Sequence, residues 1–143
     1  MAKQKPSFEI HSYGIYDGWD ESSKKLPKIK TFTTNIPAVL DIEFGLILQV
    51  KRGKGICLDW IIYHPDVCDK KGRPMPPFEG EVYVRTNDWE FYLGDTIWEP
   101  IENAEGDWHM MLSYKDKCIA EKTFSVAKEH GDGEIQFWKK RGY

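Results

Sequence analysis

Between Trp108 and Tyr114 the chain alternates strictly. Trp108, Met110, Leu112 and Tyr114 fall on one parity, and His109, Met111 and Ser113 on the other. A strand turns successive side chains to opposite faces, whereas a helix needs apolar residues recurring every three to four positions. No stretch of this chain keeps such a helical pattern over three turns. The segment is therefore a half-buried strand. Lys115, Asp116 and Lys117 form a polar turn, and the chain returns through Ile119, Phe124 and Val126 with Glu121, Thr123 and Ser125 between them. Ile119 and Phe124 differ in parity, so a small bulge near Ile119 or Ala120 is needed to turn both inward. This predicts a terminal hairpin.

The same alternation runs through the rest of the chain. Phe8, Ile10 and Ser12 alternate with Glu9, His11 and Tyr13 in a first strand that runs into Gly14 and Ile15. Residues 39–50 are aliphatic and β-branched enough for one long or kinked central strand, with Gly45 marking a bend or bulge. Arg52, Gly53, Lys54 and Gly55 read as a turn, followed by a strand over 57–63 that Pro65 ends. That pair reads as a second hairpin. Further short strands are expected over 81–86 and around 92–98. About seven or eight strands separated by turn signals suit an antiparallel β-sandwich. Residues 1–127 are expected to form the one domain. Residues 128–143, which include Trp138, form a C-terminal tail that could supply an extra edge strand. Residues 17–35, acidic and then basic, are expected to be a long mobile loop joining the first two strands.

Composition narrows the class further. A chain of 143 residues is long enough to bury a core without disulfide staples. Its three cysteines, Cys57, Cys68 and Cys118, are widely spaced and leave one over after any pairing, which suits reduced thiols. A net charge of -3 gives no electrostatic case for nucleic acid as an obligatory partner. The most apolar cluster, 44–50, falls far short of the roughly 20 residues a membrane helix needs. The first residues carry no apolar run behind Lys3 and Lys5, so the expectation is a cytoplasmic protein.

Chemistry-bearing patterns are sparse. No Gly-x-Ser-x-Gly elbow is present, and Arg52-Gly53-Lys54-Gly55 lacks the spacing of a phosphate-binding loop. His64, Asp66, Cys68 and Asp69 could offer a metal three or four ligands. A strand-ending turn with capping aspartates explains the same residues, and no metal or cofactor is assigned. Glu79, Glu81, Asp88 and Glu90 supply carboxylates of the kind glycosidases pair, yet alternation alone brings no two of them together. No catalytic residue is assigned. Trp60, Trp108 and Phe124 lie on apolar faces and belong to the core. Trp19, Trp89, Tyr92 and Trp138 sit among Asp, Asn, Gly and Lys, where exposed aromatics could grip a ligand or partner.

A set of short motifs adds a resemblance. Ser12-Tyr13-Gly14-Ile15-Tyr16, Ile36-Pro37, Phe44-Gly45, His64-Pro65 with Asp69 and Gly72, Trp98-Glu99, Gly106-Asp107-Trp108 and the run 120–126 resemble the bacterial domain-of-unknown-function family of serial thirty-eight fifty-nine. The similarity spans roughly residues 8–127 and implies an all-β, immunoglobulin-like sandwich, with no established activity attached. The reading that results is a non-catalytic interaction module. It would recognise a protein partner, or a second copy of itself in a homodimer, through sheet edges and the peripheral aromatics. A carbohydrate- or small-ligand-binding domain is the alternative, and an enzyme with an unrecognised site the third.

Overall fold

The computed structural model describes residues 5–17, 26–65 and 71–128. Nine strands follow one another: β1 (Ser7–Tyr16), β2 (Ile29–Thr31), β3 (Asn35–Pro37), β4 (Glu43–Lys51), β5 (Cys57–Tyr63), β6 (Phe78–Tyr83), β7 (Asp88–Thr96), β8 (Gly106–Tyr114) and β9 (Lys117–Ala127). A 3-10 turn, Ile101–Ala104, precedes β8. The strands form two sheets, one in the order β2-β1-β4-β7 and the other β3-β9-β8-β5-β6. The all-β sandwich read from alternation is the observed fold.

Alternation places the core between the sheets. Phe44, Leu46, Leu48 and Val50 of β4 face Leu58 and Ile62 of β5, Trp108, Met110 and Leu112 of β8, and Phe124 and Val126 of β9. Phe44 meets Trp108 and Phe124 edge to face, with ring centroids 5.3 and 5.6 Å apart. Trp108 also donates its indole N–H to the Ala104 carbonyl at 2.8 Å, so the largest core side chain leaves no orphan donor. Trp60, expected in the core, lies only half buried at its margin, against Gly80 of the outermost strand.

The terminal hairpin forms as read. Lys115 and Asp116 both take positive φ, 50° and 65°, the backbone of a two-residue type I′ turn between Tyr114 and Lys117. Pairing passes from Leu112↔Ala120 to Ser113↔Cys118, so Ile119 is the extra residue. The bulge turns Ile119 against the core.

Three expectations are corrected. β4 and β5 are not a hairpin: β4 pairs with β1 and β7, whereas β5 pairs with β6 and β8. The 52–55 turn arches between sheets because each strand buries its own apolar face in the shared core. Second, β4 does not bend at Gly45, whose ladder to β7 runs unbroken; the irregularity falls on β1, at His11. Third, the described part of 17–35 is not simply loop. β2 pairs with β1 at Ile15 and Tyr16, and β3 pairs in parallel with β9. The strand expected over 81–86 lies at 78–83, and the one expected around 92–98 begins at Asp88. The tail beyond 128 lies outside the described residues, as do Trp19 and Trp138.

Candidate binding face

Each sheet has an outer face, and the two are treated differently. On the four-stranded sheet, Gly14, Gly45 and Gly94 pair across β1, β4 and β7 and form a furrow. A β-carbon on Gly45 would collide with the Leu93 carbonyl oxygen, and one on Gly14 with that of Thr31. Two tyrosines fill the furrow from opposite sides. Tyr16 reaches back over Gly14 to share a 2.8 Å hydrogen bond with Ser12 Oγ. Tyr92 lies over Gly94 and donates to Glu43 Oε2 at 2.6 Å, with the Phe44 carbonyl at 3.2 Å. Thr96 donates to the other Glu43 oxygen at 2.9 Å.

The two rings meet edge to face at 5.1 Å, and Leu26 and Ile29 close over them. Burial pushes the Tyr16 hydroxyl up to about 12. Burial and the Glu43 charge together push Tyr92 further still. Both stay protonated donors at neutral pH. The part of this outer face around Tyr16, Ile47 and Tyr92 is covered by the chain's own residues, while Glu9, Lys51, Asp88 and Glu90 at its other end stay exposed.

Among the described residues, no segment covers the outer face of the five-stranded sheet. Cys57, Asp59, Ile61 and Tyr63 of β5 point to it beside Glu79, Glu81 and Tyr83 of β6 and His109, Met111 and Ser113 of β8. Tyr63 and Tyr83 are 44% and 63% exposed. Asp59, Ile61, Glu79, Glu81 and Ser113 line a trough of about 550 Å³. Among the described residues no cation pairs with Asp59, Glu79 or Glu81, although Glu81 accepts a 3.7 Å contact from the Cys57 thiol. Desolvation and the Glu81 charge push that thiol up, so it is not activated as a nucleophile. His109 donates from Nε2 to Glu121 at 3.1 Å, and its Nδ1 lies 2.7 Å from Thr123 Oγ1.

The peripheral aromatics read from the sequence do not converge here. Tyr92 is buried under the other face, 4% exposed. Trp89 turns inward on β7, half buried, and stacks on Phe91 at 5.9 Å. Trp19 and Trp138 lie outside the described residues. Tyr63 and Tyr83, like Phe32 beside Tyr13, are exposed aromatics that sequence reasoning passed over. The parity of Tyr63 and Tyr83 within β5 and β6, opposite to that of Leu58, Ile62 and Val82, was the available signal. The four acids separate as well: Glu79 and Glu81 face outward on one sheet, Asp88 and Glu90 outward on the other. His64 sets its ring nitrogens 2.8 Å from the carbonyl oxygens of Pro65 and Pro76. Asp66, Cys68 and Asp69, weighed with it as ligands, lie outside the described residues.

Comparisons with known proteins place the chain. A search of curated proteins finds no match. Among solved structures, an immunoglobulin-like protein from Pseudomonas aeruginosa superposes with a TM-score of 0.70 at 25% sequence identity, covering 89% of this chain and all of that one. The sandwich is thus immunoglobulin-like, as the short motifs implied. The model of the domain of unknown function DUF3859 matches residues 4–126, nearly the whole sandwich, and the chain belongs to that family.

Proposed function

We propose that this domain is a non-catalytic binding module that holds a protein partner against the outer face of its five-stranded sheet. One observation carries the reading: Leu26 and Ile29 cover the aromatic patch of one outer face, whereas among the described residues no segment packs over Tyr63 and Tyr83 on the other. This face offers Tyr63, Tyr83, Ile61 and Met111 beside Asp59, Glu79 and Glu81, which pair with no cation among the described residues, an apolar-and-charged mixture typical of recognition surfaces. The carbohydrate alternative is weaker, since Tyr92 is buried and Trp89 faces the core. A cytoplasmic setting is part of the proposal, supported by the free thiols of Cys57 and Cys118.

A photo-reactive phenylalanine analogue placed at Tyr83 or Met111, in cells that make the protein, tests it. A discrete adduct from these positions, and none from the same analogue at Lys30 on the opposite side, is the expected result. No adduct from position 83 or 111, or equal labelling from Lys30, overturns the reading.

A further inference from the structure

We infer that β6 is an acceptor edge for an extended, basic segment of a partner protein, which adds to the five-stranded sheet as a further strand. This rests on the binding-module reading and names the partner's chemistry. Among the described residues β6 is the last strand of its sheet, paired only with β5. Val84 donates to Ile56 and accepts from Gly55, so Val84 turns its backbone toward β5. An antiparallel ladder alternates, so Val82, Gly80 and Phe78 also face β5 while the backbone groups of Glu79, Glu81 and Tyr83 face the open edge. Their donors and acceptors form a template for one more strand.

Side chains then choose the occupant. Every incoming residue on the outer face would lie beside Glu79, Glu81 and, one strand further in, Asp59, none of them paired with a cation among the described residues. On the inner face the neighbours are apolar. The Trp60 ring lies so close over Gly80 that a β-carbon there would come 2.8 Å from it, flanked by Phe78 and Val82. The complementary strand therefore alternates Lys or Arg with apolar residues. A second copy of this chain is disfavoured in two of its antiparallel registers. Antiparallel pairing of β6 with itself about Gly80 sets Glu79 against Glu81, and pairing about Glu81 sets that carboxylate against its own copy; like charges directly opposite destabilise. In these registers the carboxylates disfavour a second copy, whereas a basic strand meets them with opposite charge.

The test uses the full chain and a short synthetic peptide in which lysine alternates with valine. Amide hydrogen exchange at Glu79, Glu81 and Tyr83 is expected to be fast in the free protein and to slow at least about tenfold with peptide bound. Trp60 emission should shift with saturation. Glu79→Lys with Glu81→Lys should weaken binding about tenfold or more, and raised salt should do the same. Methylating the peptide's alternate amides should abolish binding.

Binding that survives methylation is mere adsorption to negative charge and overturns the inference. Slow exchange of β6 in the free protein assigns the edge to the chain's own residues and overturns it too. No saturable binding likewise sinks it, while a discrete cross-link from Tyr83 would still leave the binding-module reading standing.

Discussion

At the scale of single residues, the covered patch shows how glycine and tyrosine act as one unit. The Gly14, Gly45 and Gly94 row removes side chains where two rings must lie flat, and each ring's hydroxyl finds a partner across the gap. Tyr92→Phe strips the donor from Glu43, which is itself buried, and is expected to lower stability by roughly 1–3 kcal/mol in urea unfolding. Gly45→Ala pushes a methyl into the Leu93 carbonyl and should cost about 1–3 kcal/mol or more. Asp95 makes a different prediction. It points inward opposite Phe44, and burial pushes it up to about 6, with Thr96 N–H and His64 pulling the other way. A carboxyl held above its unfolded value favours the folded state while protonated, so its contribution is present at low pH and lost as pH rises toward about 6. Urea midpoints should fall between roughly pH 4 and 6, and Asp95→Asn should flatten that slope.

At the scale of elements, the strands themselves were legible because each carries its period locally. The β8–β9 hairpin was read down to the extra residue, Ile119, since parity mismatch is visible within a dozen residues. Partner choice was not. The 52–55 segment has the composition of a hairpin turn, and only the demand that β4 and β5 both face one core sends them to different sheets. Tyr92 misled for a related reason. Its neighbours Glu90, Gly94 and Asp95 are polar, but the residues that bury it, Leu26 and Ile29, lie more than sixty positions away. Long-range closure leaves no mark on local alternation. The second outer face was half legible: the parity of Tyr63 and Tyr83 was in the sequence, their exposure among the described residues was not. For β6, removing the guard charges is informative. Glu79→Val with Glu81→Val leaves a flat apolar edge and is expected to produce concentration-dependent self-association in light scattering.

At the scale of the whole molecule, the two sheets are tied by a short segment. β2 belongs to one sheet and β3, beginning four residues after it ends, to the other, where it runs parallel to β9. The direction of the outer strands has a mechanical consequence. β1 begins at Ser7, level with Lys51, and Phe8 lies 5.8 Å from Tyr114 beside the β8–β9 turn. β9 ends at Ala127, past Val126 and its partner Gly106 at the other end of the sandwich. Tension drawn between residues 7 and 127 runs along the strands, so it must shear every rung from Ser7↔Lys51 to Tyr16↔Glu43 at once instead of peeling them singly. A domain strung in series by these two strands would hold its shape under load until that ladder gave way as a whole.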